Sequence, residues 1–116
     1  MRAEILAIGS ELLEPPREET NGPFLTEQLR AMGIDVVARQ TVADERTSVA
    51  SAFRTALSRA DVVIATGGLG PTEDDVTREA VALALDRKLS FDTGIAEWLA
   101  ARFAAVLAGF QLEARA

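Results

Sequence analysis

The sequence contains neither cysteine nor histidine among its 116 residues. Their absence excludes disulfides, thiolate nucleophiles, Ser-His-Asp triads and zinc sites built from Cys and His. Any chemistry must therefore use carboxylates, hydroxyls, bound water and a metal ion held by oxygen ligands.

The chain also lacks a basic segment followed by an apolar one at its start, and charged residues such as Glu97 and Arg102 interrupt its apolar stretches. This pattern predicts no secretory signal and no membrane span. The net charge of −6 repels nucleic acid and anionic lipid headgroups. We therefore expect a cytoplasmic protein with neither a nucleic-acid nor a membrane partner.

Length and composition predict a single folded domain over residues 1–116, because 48% of the residues are hydrophobic and 26% are charged. Three apolar or β-branched runs predict buried strands. They cover Ile5–Ile8, Ile34–Val42 and Asp61–Thr66.

Apolar residues at helical spacing predict helices between and after these strands. The first covers Pro23–Met32, with Asn21 as its cap, Gly33 as the residue after its end, and an apolar face of Leu25, Leu29 and Met32. A second follows Asp44-Glu45, and a third begins near Asp75 and ends near Leu85. Alternation of strands and helices predicts a three-layer α/β/α sandwich with a mostly parallel sheet covered on both faces.

A long Ala-rich helix is predicted from Thr93 onward, with an apolar stripe of Ile95, Leu99, Phe103, Val106 and Phe110. Such a stripe is typical of a core or a subunit interface. The sequence therefore predicts a homo-oligomer, with the stripe as one candidate contact surface.

The carboxyl ends of the three predicted strands form the candidate site, because ligands of parallel α/β sheets bind at that edge. The ends are Gly9-Ser10-Glu11, Ala43-Asp44-Glu45 and the segment from Gly67 to Asp75. In the last segment, Gly67, Gly68 and Gly70 allow backbone N–H groups to approach a phosphate, or simply permit a tight turn. It is not a Walker A loop, because Pro71 and Thr72 follow Gly70 where Lys and Ser or Thr are needed.

The acidic residues Glu73, Asp74 and Asp75 follow this glycine loop and would repel a phosphate unless a cation lies between them or the ligand carries hydroxyl groups for them to bind. A divalent metal such as Mg²⁺, held by Asp44 and Asp75, is one interpretation; acids at the starts of helices are the other. Arg17 and Arg78, the basic residues nearest these loops, either contact a phosphate or are only solvated.

Four sequence segments resemble the N-terminal domain of CinA proteins, a relative of the molybdopterin-binding MoaB and Mog domains. The segments are Gly9-Ser10-Glu11-Leu12-Leu13, Thr20-Asn21, Gly33-Ile34-Asp35-Val36 and, most specifically, Thr66-Gly67-Gly68-Leu69-Gly70-Pro71-Thr72-Glu73-Asp74-Asp75-Val76-Thr77. The resemblance implies that the last segment contacts a pterin phosphate or a nucleotide, and that Asp44 and Asp75 are functional aspartates.

The resemblance also implies a choice of functions. One is metal-dependent hydrolysis of ADP-ribose or a similar nucleotide diphosphate; the other is binding of molybdopterin or a nucleotide without catalysis. The segment Glu14–Glu19 departs from the family pattern, and the Pro-Asn-Pro and Leu-Pro-Gly-x-Pro segments that normally complete the domain do not occur before Ala116. We therefore expect the C-terminal part of the domain, and the amidase domain of the family, to be missing.

Overall fold

The computed structural model describes residues 1–70 and 75–109, with side chains described up to residue 102. The strands are β1 (Arg2–Ile8), β2 (Asp35–Val42) and β3 (Val62–Thr66). The α-helices are α1 (Asn21–Ala31), α2 (Arg46–Arg59), α3 (Thr77–Leu85) and α4 (Thr93–Gly109), and a 3-10 helix covers Ser10–Leu13.

The three strands form a parallel sheet in the order β2-β1-β3, which confirms the predicted α/β class. At its carboxyl end β1 is paired on both sides: Ile8 lies opposite Val42 of β2, and Ala7 lies opposite Thr66 of β3. All three strands therefore end at the same edge of the sheet, as the sequence predicted.

Helices cover both faces of the sheet because the side chains of β1 alternate between two apolar clusters. Ala3 and Ile5 pack with Leu29 of α1 on one face. On the other face, Leu6 and Ile8 join a cluster formed with α2 and α3 that consists of Val49, Ala50, Ala52, Phe53, Ala56 and Ala80. The predicted three layers are thus present, with β1 at their centre.

The ends of two helices differ from the prediction. Thr20 rather than Asn21 is the residue before α1, and Asn21 is the first helical residue. The helix ends at Ala31, so Met32 lies beyond it and is 71% exposed instead of completing the apolar face. Gly33 has the expected left-handed conformation, with φ of 79°.

Helix α4 begins at Thr93 as predicted. Ile95 and Leu99, the described members of its apolar stripe, are 57% and 50% exposed, so of the two predicted roles, core or subunit interface, they do not have the first, and the second stays a prediction. Their burial requires a facing surface that residues 1–70 and 75–102 do not provide. Phe103, Val106 and Phe110 lie outside the described side chains. Within the described ranges, none of the helices has the length and apolar character needed to cross a bilayer.

Glu4 is a charged residue at the centre of the fold, with no exposed surface. Its carboxylate accepts hydrogen bonds from Nε and Nη2 of Arg59, at 2.6 and 3.0 Å, and from Nε2 of Gln40 at 3.0 Å. The bonds from Arg59 lower the pKa of Glu4, burial opposes them, and Gln40 lowers it further, so that the pKa lies below its usual 4.5. This ion pair joins the end of α2 to the central strand.

Replacing Arg59 with Met should lower the free energy of unfolding by about 2 kcal/mol at neutral pH, because the buried carboxylate of Glu4 loses its charged donor. The loss is moderate since the side chain of Arg59 is 43% exposed and water partly screens the pair. Urea unfolding measures the change. Arg46→Met, at the exposed first residue of the same helix, is the matched control and should change stability by less than about 0.5 kcal/mol.

The difference in the free energy of unfolding between wild type and Arg59→Met should depend on pH. The folded-state pKa of Glu4 is depressed, so the stabilisation is fully present above the unfolded value of about 4.5 and is lost as the pH falls through the lower folded-state pKa. A difference between wild type and Arg59→Met that stays constant through this acidic range would contradict the role assigned to the pair.

Gly67, directly after β3, approaches the end of β1 so closely that no side chain fits. A Cβ atom on Gly67 would overlap the carbonyl oxygen of Ile8, and its φ of 89° lies in the left-handed region. Since a backbone oxygen in a paired strand cannot move aside, the turn after β3 requires glycine for both reasons.

Gly67→Ala should therefore lower the free energy of unfolding by about 3 kcal/mol, the sum of a left-handed backbone cost and an overpacking cost. Gly33→Ala is the matched control, because Gly33 has φ of 79° with nothing within 4 Å of the added Cβ. It should lose only about 1 kcal/mol in the same urea unfolding measurement. Equal losses in the two variants would show that the contact with Ile8 is unimportant.

Candidate functional site

The ends of β1 and β2 are joined by three hydrogen bonds at the carboxyl edge of the sheet. The N–H of Gly9 donates to the carbonyl of Val42 at 2.9 Å. Beyond it, the N–H of Ser10 donates to Oδ2 of Asp44 at 3.0 Å, and the N–H of Asp44 donates to Oγ of Ser10 at 2.9 Å. This reciprocal pair holds Ser10 and Asp44 side by side.

The half-buried Asp44 keeps part of its binding capacity. Its Oδ2 is engaged by Ser10, whereas Oδ1 accepts no hydrogen bond from the described residues. The carboxylate of Glu11 folds back over the same strand end, since a Cβ on Gly9 would lie 2.7 Å from its Oε1. Two carboxylates and one hydroxyl therefore gather where β1 and β2 end.

Thr77, the first residue of α3, binds the beginning of the glycine loop. Its Oγ1 donates to the carbonyl of Gly67 at 2.8 Å, and its N–H donates to the carbonyl of Gly68 at 3.2 Å. Helix α3 starts at Thr77, two residues after the predicted start near Asp75, and its first N–H, which has no partner within the helix, is directed to the loop. Thr77 is buried, which is consistent with a role in shaping the loop.

Arg78 binds the next two carbonyls of the loop. Its Nη1 donates to Leu69 at 2.7 Å and its Nη2 donates to Gly70 at 3.2 Å. Four successive carbonyls, from Gly67 to Gly70, are thus held by the first turn of α3. The guanidinium of Arg78 is therefore bound to backbone oxygens of the loop, so Arg78 is not merely solvated.

The direction of these carbonyls fixes the direction of the N–H groups. In a trans peptide unit the C=O and the following N–H point in opposite directions, so the N–H groups of Gly68, Leu69 and Gly70 are directed away from α3. None of the three donates a hydrogen bond to another described residue. Successive N–H groups turned to one side in this way form a binding surface for an anion.

Asp75 lies against this loop. A Cβ on Gly70 would be 2.7 Å from its Oδ2, so the carboxylate occupies the space that a side chain at residue 70 would take. Within residues 1–70 and 75–109 no group of three or more acidic residues is placed to hold a metal ion.

The structure brings the predicted residues together in two groups. The first comprises Gly9, Ser10, Glu11 and Asp44, and the second comprises Gly67, Gly68, Gly70 and Asp75. Thr66 is the last residue of β3, paired with Ala7. Pro71, Thr72, Glu73 and Asp74 lie outside the described residues, and the side chain of Arg17 is exposed. The sequence prediction missed the carbonyl contacts of Thr77 and Arg78, although both directly follow the acidic segment.

The chain matches one family model and is similar to CinA-like and competence-damage inducible proteins. The family model described as a probable molybdopterin binding domain matches residues 4–115. A CinA-like protein of Solibacter usitatus is 53% identical over 105 residues, which are 90% of this chain and 25% of that protein. A putative competence-damage inducible protein of Natranaerobius thermophilus is 48% identical over 92 residues, or 79% of this chain and 23% of that protein.

Solved structures give the same fold. The CinA protein of Thermoplasma acidophilum is 35% identical with a TM-score of 0.76, over 78% of this chain and 54% of that one. The molybdopterin biosynthesis enzyme MoaB of Thermus thermophilus is 28% identical with a TM-score of 0.68, over 76% of this chain and 57% of that one. The chain spans about a quarter of the length of the Solibacter usitatus and Natranaerobius thermophilus proteins. Its match to the family model over residues 4–115 and its CinA-like relatives place it in the molybdopterin-binding domain family, among the CinA-like proteins.

Proposed function

We propose that the carboxyl edge of the sheet binds a small nucleotide or pterin ligand through a phosphate group. The observation that supports this most directly is the row of N–H groups at Gly68, Leu69 and Gly70, all turned away from α3. A protein with a net charge of −6 repels anions at long range. Backbone N–H groups at short range are then the natural way to hold a phosphate.

The reaction we propose is hydrolysis of a nucleotide diphosphate linkage such as that of ADP-ribose. Water adds to one phosphorus, the bridging oxygen leaves with the other phosphate, and the products are AMP and ribose phosphate. The residues favour a substrate of this kind because Asp75 lies against the glycine loop and Asp44 lies at the same edge of the sheet, so their carboxylates would repel the ligand unless a cation neutralised them.

A divalent cation such as Mg²⁺ fits these residues, since Mg²⁺ commonly binds one or two carboxylates together with phosphate oxygens of the substrate. Asp44, with Oδ1 unoccupied by other described residues, and Asp75 would hold it. When bound, the cation would supply an activated water and neutralise the phosphates. Ser10 keeps the carboxylate of Asp44 in place through its N–H.

A second candidate is binding of molybdopterin or a nucleotide without turnover. It is favoured by the match to a probable molybdopterin binding domain. The phosphate would occupy the same N–H groups, and the carboxylates would accept hydrogen bonds from hydroxyl or amino groups of the ligand.

Incubation of the chain with ADP-ribose, with and without Mg²⁺, should release AMP only when the metal is present. Asp75→Asn and Asp44→Asn should each lower the rate about 100-fold or more, the loss typical when one group that positions the reacting water or charge is removed. Asp35→Asn is the matched control because Asp35 begins β2, at the opposite end of the strand from Asp44. Its rate should equal that of the wild type.

Three outcomes separate the candidates. Metal-dependent AMP release that only the site variants lose supports hydrolysis. A folded wild-type protein that binds ADP-ribose or a pterin phosphate and releases no product supports binding without catalysis. A folded protein that binds neither ligand would refute both candidates.

A further inference from the structure

We infer that Arg78 is a positioning residue of the glycine loop, which sets the direction of the last N–H group of the row, that of Gly70, without touching the ligand. The inference rests on the proposed function, in which those N–H groups bind a phosphate. It goes further by assigning a task to an arginine that the phosphate-binding hypothesis would otherwise place on the ligand.

The contacts of Arg78 decide between the two roles. Its Nη1 and Nη2 are both directed at carbonyl oxygens, those of Leu69 and Gly70. The N–H groups of the loop point the opposite way. The guanidinium therefore lies on the side of the loop opposite the proposed phosphate, where it binds backbone oxygens that would otherwise be free to rotate.

Arginine suits this task better than lysine. Two nitrogen atoms in a rigid planar fork reach two successive carbonyls at 2.7 and 3.2 Å, whereas an ammonium group is a single point charge on a flexible stem. The loop needs such a restraint because Gly67 and Gly68 have φ of 89° and 64°, and glycine visits many backbone conformations at little cost. Thr77 restrains the first two carbonyls, and Arg78 restrains the other two.

The orientation of one N–H group, that of Gly70, depends on Arg78 in particular. The carbonyl of Leu69 and the N–H of Gly70 belong to the same peptide unit, so holding the first orients the second. The carbonyl of Gly70 belongs to the unit shared with Pro71, which has no N–H. The row of donors therefore ends at Gly70, and Arg78 fixes its last member. Without Arg78 the ligand would have to order this peptide itself, which weakens binding.

Arg78→Lys tests the role because it keeps the charge and removes the fork. We expect the dissociation constant for a non-hydrolysable analogue of ADP-ribose, measured by calorimetric titration in the presence of Mg²⁺, to rise about tenfold. In the ligand-free protein, the ¹⁵N–¹H resonance of Gly70 should shift. Arg54→Lys is the matched control, since Arg54 donates Nη2 to the carbonyl of Leu83 away from the loop. It should change neither measurement.

Arg78→Ala supplies a second test in the same titration. Adding millimolar guanidinium to this variant should restore part of the affinity, because the free ion can bind the two carbonyls again; ammonium should not. Far-ultraviolet circular dichroism of each variant confirms that the fold is retained before binding is compared.

Wild-type affinity in Arg78→Lys, or an unshifted Gly70 resonance, would overturn the positioning role. Equal rescue by ammonium would also overturn it and show that charge alone matters. If the wild type binds no ADP-ribose analogue in the presence of Mg²⁺, the proposed function fails, while the Gly70 resonance of the ligand-free variants still decides whether Arg78 orients the loop.

Discussion

The pairing of β1 with a parallel strand on each side is the constraint on which the rest of the structure depends. Because β2 and β3 both run parallel to β1, their carboxyl ends meet at one edge. Helices pack on both faces of this central strand, so its side chains must be apolar or fully compensated. Glu4 meets the second condition through Arg59 and Gln40.

The candidate site follows from this edge and from the first turn of α3. The sheet brings Ser10 and Asp44 together, while Thr77 and Arg78 hold the carbonyls that follow β3. The result is a surface of N–H groups with carboxylates beside it on an acidic protein. Such a surface combines attraction for a phosphate at short range with a requirement for a counter-charge, so the proposed ligand and the proposed cation depend on each other.

The sequence predicted the strands and the shared edge well, because buried β-branched runs ending in glycine or acidic residues are local signals. It placed helix ends less well, since the start of α3 depends on a bond between Thr77 and a loop residue nine positions earlier. The partner of Glu4 is 55 residues away, so no periodicity could identify it. Nor could spacing show that Ile95 and Leu99 are exposed, because an apolar stripe does not reveal what faces it.

Glu4 lies within β1, whereas the candidate ligand groups lie beyond the carboxyl end of that strand. Glu4 and Ile8, the last residue of the strand, are four residues apart, about 13 Å along an extended strand, and Ser10 lies beyond Ile8. Changes at sites separated by such a distance, without shared partners, usually have independent effects. The segment that follows β1 can therefore acquire a different ligand chemistry while the ion pair of Glu4 and Arg59 keeps the sheet and α2 together. This separation makes the small scaffold suitable for redesign of ligand specificity.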